Sequence, residues 1–334
     1  MPVYRRKRMP AVFVILLLIG AIPVFHAALA AAAGDAGSIW GADYFPNVLL
    51  TTSEGKQVRF FDDLIKGKVV VINFLYTSCP DVCPLETARL REVQELLGDR
   101  VGRDVFMYSI SIDPDRDTPE VLKRYAERFE VGPGWLFLTG KKEDITLLRK
   151  KLGLYSESPG GEKLEAHAVS SIIGNQSTGR WMRMSPFENP YIMATQVGSW
   201  LSNWKMSGNK EQDYAYAPKL RTVSKGESVY RTRCEACHSI GGTGMVKSGK
   251  RSLGPDLSGV VAKRDRAWLI RWLAEPDKMI AEKDPLAISL LAEYDNVAMP
   301  NLRLNDAEIK AVLAYIEEES LRQGHQHDPM QHHH

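Results

Sequence analysis

Four cysteines fall into two close pairs, and these pairs are the first candidates for chemistry in the 334-residue chain. Cys79 and Cys83 lie four positions apart, where an apolar run gives way to a helical pattern. On a helical turn their α-carbons would be about 6 Å apart, a separation that allows a disulfide or a shared metal ion. A helix N-terminus also favours the thiolate form. This pair is therefore predicted to be a redox-active or metal-binding dithiol.

The second pair belongs to a different pattern. Cys234, Cys237 and His238 form the sequence CEACH, and C-x-x-C-H is the attachment pattern for c-type haem. A pattern this short can also arise by chance. It therefore needs support from the surrounding sequence.

Between residues 40 and 205, strand-like and helix-like segments alternate. Val69 to Tyr76 is a continuous apolar, β-branched run of the buried-strand type, and it leads towards Cys79. Residues 84–98 carry apolar side chains at helical spacing, and Pro84 suits a first helical turn. Such alternation predicts an α/β domain with a mixed central sheet. Further strands are predicted at 105–112, 135–138, 169–173 and 180–184, and further helices at 119–129, 143–152 and 190–204.

The composition changes after residue 205. Residues 206–222 are polar and without a period, which predicts a linker. Short helical patterns from 223 to 323 predict an all-α domain, whose clearest helix, 307–320, can be capped by Asn305 or Asp306. The histidine-rich tail, 324–334, could bind copper or zinc or could be a solvated end, and no ligand is assigned there.

The N-terminus has the layout of an export signal. Four cations at residues 5–8 precede an uncharged apolar run and then a stretch of alanines. Residues 1–33 are predicted to be a signal peptide cleaved after Ala30 or Ala33. The 23 residues from 11 to 33 are also long enough to be retained as a membrane anchor. Either outcome predicts a periplasmic location, or one at the outer face of the cytoplasmic membrane.

Composition and charge exclude several classes of protein. Hydrophobic residues make up 44% and charged residues 25% of the chain, which excludes a disordered or coiled-coil protein. Without the four N-terminal cations, the formal charge of +2 becomes about −2. Nucleic-acid binding therefore has no electrostatic support.

Two segments around the first cysteine pair resemble the Sco/SenC family of thioredoxin-like copper proteins. They are NFLYTSCPDVCP at 73–84 and SISIDPDRDTPEVLKRYAERF at 109–129. The resemblance implies a thioredoxin fold in which Cys79, Cys83 and the distant His167 bind copper. Two soft thiolates select Cu(I), and one imidazole lets the site hold Cu(II) as well.

His167 is the single histidine of the α/β region, and it lies in a polar loop before a strand-like segment. This position favours a ligand over a core histidine. The family usually has Asp before this histidine and Ser after it, whereas this chain has Ala166 and Ala168. The departure changes the groups that would orient the imidazole, and hence the expected copper affinity.

Four aspartates near the dithiol leave alternatives open. Asp81 lies between the cysteines and either orients the site or is a solvated turn residue. Asp113, Asp115 and Asp117 resemble a cation cluster, although a turn followed by a helix cap is the interpretation that the sequence favours.

The second cysteine pair lies in a set of segments that together resemble a small class I cytochrome c. The segments are GESVYRTR before CEACH, GPDLSGV at 254–260 and AMPNLRLNDAEIKAVLAYI at 298–316. The resemblance implies covalent haem on Cys234 and Cys237, with His238 as proximal ligand and Met299 as sixth ligand. Gly254 and Pro255 match the loop whose proline carbonyl orients the proximal histidine.

Some haem-side residues have alternative interpretations. Met299 could instead be a core methionine, with Met245 and Met279 as rival ligands, but it precedes a proline in a loop before the final helix, as the family requires. Trp268 and Trp272 share a helix face, so they are predicted to pack in the core, to wall the haem, or both.

Together, the sites predict a copper metallochaperone for the dinuclear copper centre of a haem-copper oxidase, whose fused haem exchanges electrons with the copper or dithiol. The alternatives are a thiol-disulfide oxidoreductase, with Cys79 and Cys83 acting on oxidase cysteines, and a redox sensor. A high-potential His/Met haem is a poor donor to a structural disulfide, which weakens the enzymatic alternative. The expected partners are the copper-bearing oxidase subunit and periplasmic copper donors or electron carriers. Membrane association is expected only through the N-terminus.

Overall fold

The structure is a computed structural model that describes residues 40–157, 163–164, 169–202, 222–242 and 252–326. The predicted N-terminal signal or anchor, nearly all of the predicted linker and most of the histidine-rich tail lie outside these residues, as do His167 and Met245. Within the described ranges, no helix is long and apolar enough to cross a membrane.

Among the described residues before position 203, seven strands form one mixed sheet. They are β1 (Leu49–Thr52), β2 (Gln57–Arg59), β3 (Val69–Leu75), β4 (Val105–Ser111), β5 (Trp135–Gly140), β6 (Ser171–Asn175) and β7 (Arg180–Met184). Their order is β2-β1-β5-β4-β3-β6-β7. The β3–β4 and β4–β5 pairs are parallel, and the others are antiparallel. The predicted α/β fold with a mixed sheet, of the thioredoxin-like class, is confirmed.

Helices α1 (Cys83–Leu97), α2 (Pro119–Arg128), α3 (Lys142–Lys151) and α4 (Pro190–Gly198) follow β3, β4, β5 and β7. Helix α2 begins as predicted, since the Thr118 hydroxyl accepts a hydrogen bond from the Val121 amide. Helix α1 begins immediately after the central strand β3 and the loop at 76–82, and it packs against α4. This connection places both cysteines at the carboxyl end of β3.

The second part of the described chain is helical, as predicted. Its helices are α5 (Lys225–Val229), α6 (Val260–Lys263), α7 (Arg266–Ala274), α8 (Pro276–Ala281), α9 (Pro285–Glu293) and α10 (Asp306–Gln326). Asn305 caps α10, because its side chain accepts from the Glu308 amide while Glu308 accepts from the Asn305 amide, each at 3.0 Å. Gly226 allows α5 to approach α10, since a β-carbon there would lie 2.1 Å from the Ala311 carbonyl oxygen.

Candidate dithiol and haem sites

The first cysteine pair is buried at the junction of β3 and α1. Cys79 follows the strand, and its amide donates to the Tyr76 carbonyl at 3.2 Å, while Cys83 is the first residue of the helix. Cys79 is 7% exposed and Cys83 is fully buried. The Cys83 thiol lies close enough to the Cys79 sulfur for each group to shift the pKa of the other. The two sulfurs are therefore adjacent, as a shared metal ion or a disulfide requires.

The two thiols are not equivalent. The neighbouring Cys83 thiol, together with backbone N–H groups of Cys83 and Asp81, lowers the pKa of Cys79 to about 5, although burial opposes this shift. The same thiol–thiol interaction and burial raise the pKa of Cys83. At neutral pH the pair therefore carries one negative charge on Cys79 and one proton on Cys83.

A buried aspartate fixes the loop before Cys79. Asp117 is fully buried, and its carboxylate accepts from the Thr77 amide at 3.1 Å, from the Thr77 hydroxyl at 2.5 Å and from the Ser111 hydroxyl at 2.5 Å. These bonds tie the loop to the end of the neighbouring strand β4. Of the two predictions for this aspartate segment, the turn followed by a helix cap is present, with Thr118 as the cap. Asp117 also supports the cysteine loop, which was not predicted. Its position immediately before a capping threonine gave no indication of this role.

A second acidic residue lies beneath the dithiol and was not predicted. Glu86, one turn after Cys83 on α1, is fully buried, and neither of its carboxylate oxygens has a hydrogen-bond partner within the described chain. Burial, with a smaller contribution from the charge of Cys79, raises the pKa of Glu86 to about 8. The side-chain amide of Asn73 lowers the pKa of Glu86 by a smaller amount. It does so without a formed hydrogen bond, because the Asn73 side-chain nitrogen has no partner within hydrogen-bond distance among the described residues. Glu86 is therefore a neutral acid at pH 7.

The third predicted copper ligand, His167, lies outside the described residues. Within those residues, no group of three or more His, Cys, Asp and Glu side chains could hold a metal ion. That finding also applies to Asp113, Asp115 and Asp117, which do not form the cation cluster considered above. The copper site therefore stays a prediction. Of its three predicted ligands, Cys79 and Cys83 lie within the described residues and His167 does not.

Gly254 and Pro255 hold one edge of the ring of His238, the predicted proximal ligand. The His238 Nδ1 atom lies 2.9 Å from the Pro255 carbonyl oxygen, the contact expected from the GPDLSGV segment. Gly254 packs against the imidazole so closely that a β-carbon there would lie 2.5 Å from His238 Cε1. Burial lowers the pKa of His238, which keeps the ring neutral. The bond to Nδ1 leaves Nε2 as the nitrogen that could bind iron.

The residues predicted to hold haem meet around two adjoining cavities. Cys234, His238 and Met299 line both cavities, and Cys237 lines one of them. Their walls are mainly apolar, formed by Trp272, Leu290, Leu273, Val312, Leu313 and Ile316. A flat, apolar group anchored by two thioethers, with an imidazole and a thioether sulfur as axial ligands, fits this donor set.

The alternatives for the haem side are also resolved in part. Met279 is buried but does not line either cavity, so among the described methionines Met299 is better placed than this rival. Trp268 and Trp272 stack with ring centroids 5.3 Å apart, and both line the second cavity. The two rings therefore pack against each other at the cavity wall, and their contact with haem stays a prediction.

The fold and sites define a protein that joins a thioredoxin-like dithiol domain to a c-type cytochrome domain. The family model for SCO1/SenC matches residues 43–202, and that for cytochrome c matches residues 223–320. The chain therefore combines a SCO1/SenC region with a cytochrome c region, as the two resemblances predicted.

Several known proteins are similar to parts of the chain. A SCO2-like protein of Rickettsia felis is 36% identical over 103 residues, which are 31% of this chain and 49% of that protein. The chain spans about half the length of the SCO2-like relatives it matches. Bradyrhizobium japonicum ScoI, solved with copper bound, is 28% identical and covers 45% of this chain and 94% of its own, with a TM-score of 0.37. The cytochrome c domain of the pp3183 protein from Pseudomonas putida is 52% identical and covers 29% of this chain and 89% of its own, with a TM-score of 0.26.

Proposed function

We propose that the chain is an exported copper metallochaperone that delivers copper to the dinuclear copper centre of a haem-copper oxidase. The observation that carries this proposal is the buried pair Cys79 and Cys83 at the junction of β3 and α1, within the SCO1/SenC region. Its partner would be the copper-bearing oxidase subunit. Residues 40–205 would act as the copper domain and residues 223–323 as the cytochrome domain.

The dithiol has the properties that a copper cargo requires. Thiolate sulfur is a soft ligand and prefers Cu(I), and Cys79 is ionised at neutral pH. Only the Cys83 proton must leave when copper binds both sulfurs. Asp117 holds the loop in place before copper arrives, so little ordering is needed on binding. His167 is the proposed third ligand.

The cytochrome domain would supply one-electron redox chemistry through a covalently bound haem. Cys234 and Cys237 would anchor it, and His238 and Met299 would ligate the iron. The chain's own contribution is orientation, because the Pro255 carbonyl holds the His238 ring and mainly apolar side chains line the cavity. We propose that this domain exchanges electrons with the copper or dithiol of the same chain.

Anaerobic copper titration of the haem-loaded protein tests the copper proposal. We expect one Cu(I) per chain in the wild type, and loss of tight binding in His167→Ala and in Cys79→Ser. Lys163→Ala, an exposed residue near the same loop, is the matched control and should bind like the wild type. Wild-type affinity in His167→Ala would remove this histidine from the ligand set, and the absence of copper in the wild type would overturn the metallochaperone proposal.

A thiol-disulfide oxidoreductase is the second candidate, because the two thiols differ in acidity. The Cys79 thiolate would attack a partner disulfide and form a mixed disulfide, releasing one partner thiolate. Cys83 would then lose its proton and attack the Cys79 sulfur, which releases the second partner thiolate and leaves a Cys79–Cys83 disulfide. His167→Ala separates the candidates, since it should retain this exchange activity while copper binding and oxidase maturation are lost.

A further inference from the structure

The loop that carries Met299 contacts the loop that carries the first cysteine pair. We call residues 297–303 the Met299 loop and residues 76–82 the cysteine loop. The Asn301 amide donates to the Pro80 carbonyl at 3.2 Å, and the Arg303 guanidinium lies 2.5 Å from the Asp81 carboxylate. The two regions are more than 200 residues apart in sequence, with 222 positions between Asp81 and Arg303. Both contacts fall on residues that lie between Cys79 and Cys83.

The Met299 loop is held in the conformation that makes these contacts. The Asn301 side chain accepts from the Arg303 amide at 3.0 Å, and the Arg233 guanidinium donates to the Leu302 carbonyl at 2.8 Å. Arg303 has a φ of 50°, in the left-handed region that costs energy for a residue with a side chain. Such a conformation persists only where surrounding contacts impose it. Here those contacts present the guanidinium to Asp81.

The interface extends beyond this ion pair. Val297 and Leu302 pack against an apolar cluster that joins the core of the α/β domain to Ala236 and Leu253 of the cytochrome domain. Pro84 and Leu85, at the start of α1, line the same cavity as Cys237 and His238. The α/β domain therefore supplies part of the wall of the predicted haem cavity.

A buried ion pair on α1 also faces the cytochrome domain. Arg89 is 3% exposed, pairs with Glu92 at 2.8 Å and donates to the Arg231 carbonyl. A charged side chain is rarely buried unless it is paired. Its burial here, with a backbone partner from the other domain, indicates that this face of α1 is suited to a covering domain.

We propose that the cysteine loop and the first turn of α1 are the docking surface for the Met299 loop of the same chain, and that this docking restricts the access of protein partners to Cys79 and Cys83. Asp81 and Arg303 provide complementary charges, and Leu302 provides the apolar contact. Transfer of copper to another protein requires release of the Met299 loop. This inference rests on the proposed function only in taking the dithiol as the site of transfer.

Thiol alkylation tests the docking in copper-free, haem-loaded full-length protein with its dithiol reduced. In this form Cys234 and Cys237 would be bonded to haem as thioethers, so only Cys79 and Cys83 are expected to react with a maleimide. The measured quantity is the rate with a bulky polyethylene-glycol maleimide divided by the rate with N-ethylmaleimide. The ratio cancels changes in thiolate reactivity and reports access alone.

We expect Arg303→Ala to raise this ratio by up to about fivefold, the range expected for an exposed ion pair, and Arg303→Glu to raise it further. Arg303→Lys retains the charge and should resemble the wild type. Lys310→Glu, an exposed cation on α10, is the matched control for charge reversal. The double exchange D81R/R303E should bring the ratio back towards the wild-type value. High salt should raise the wild-type ratio, because salt screens the ion pair.

An Arg303→Glu ratio equal to that of the wild type would overturn the docking proposal, as would the absence of recovery in the double exchange. If Arg303→Glu does not fold, Arg303→Ala and the salt series on the wild type decide the question. Copper is absent from these measurements. A failed copper titration would therefore leave the docking result intact, and an unchanged ratio would leave the copper proposal intact.

Discussion

The dithiol region and the haem region differ in how their chemical groups are held. In the haem region, Cys234, Cys237 and His238 come from one short motif, and the contact that orients His238 comes from a second motif containing Gly254 and Pro255. In the dithiol region, the supporting groups come from separate elements: Asp117 lies in the loop after β4, and Glu86 lies on α1. A sequence motif can therefore predict the ligands of a site without predicting the buried polar groups that surround them.

We expect the largest effect on haem ligation from a substitution at Gly254. This substitution tests whether the haem region depends on one close contact. A β-carbon at this position would lie 2.5 Å from the His238 ring, so Gly254→Ala should displace the imidazole and prevent six-coordinate haem. The absorbance spectrum of the purified protein measures this. Gly259→Ala is the control, since its β-carbon would meet nothing closer than 3.5 Å, although its φ of 67° adds some strain. Normal axial ligation in Gly254→Ala would show that the loop tolerates the added atom.

Glu86 tests whether the dithiol region depends on a buried neutral acid. Its pKa of about 8 in the folded chain exceeds the value of about 4.3 in an unfolded chain. Between these values the unfolded chain has released a proton that the folded chain keeps, so stability falls as pH rises, by up to about 1.4 kcal/mol per pH unit, and levels off above pH 8. Glu86→Gln should remove this part of the pH dependence.

Chemical denaturation of the copper-free protein at pH 5, 6.5 and 8 measures this effect. Glu127→Gln, on the neighbouring helix α2, is exposed and serves as the control. Parallel pH profiles for the wild type and Glu86→Gln would contradict the assignment of a raised pKa to Glu86.

Replacement of Met299 tests the predicted sixth ligand of the haem region. Replacement by alanine should leave the haem attached through Cys234 and Cys237 but remove a thioether ligand that raises the potential. We expect the midpoint potential to fall on the order of 100 mV. Potentiometric titration measures the shift, and Met279→Ala, which removes a buried methionine outside both cavities, is the control. An unchanged potential and spectrum would remove Met299 from the ligand set.

Asp117 provides the corresponding test on the dithiol side. Asp117→Asn replaces one carboxylate oxygen, which accepts hydrogen bonds from Thr77 or Ser111, by an NH2 group that cannot accept them. We expect this change to lower the free energy of unfolding by about 1–3 kcal/mol and to weaken copper binding. Urea denaturation and copper titration measure the two effects. Asp115→Asn is the control, because its side chain is 79% exposed. If Asp117→Asn and Asp115→Asn behave alike, Asp117 does not position the cysteine loop.

Much of the fold could be predicted from local patterns. The apolar run of β3 and the helical spacing of α1 predicted both elements to within about a residue at each end. The hairpin of β1 and β2 was missed because its strands have only four and three residues, too few for a period to be visible. Short helices of the cytochrome domain were recognised as a class but not individually, for the same reason.

By itself, the sequence determined the two cysteine pairs, the class of each domain and the residues that could act as ligands, because motifs and hydrophobic periods are local properties. Only the tertiary structure decided which polar groups of α1 are buried. Glu86, Arg89 and Glu92 would be taken for a solvated face in a sequence, but α4 and the cytochrome domain cover this helix. The contact of Asp81 with Arg303 likewise depends on how two domains pack. Burial and long-range contact are set by packing partners, which no local pattern encodes.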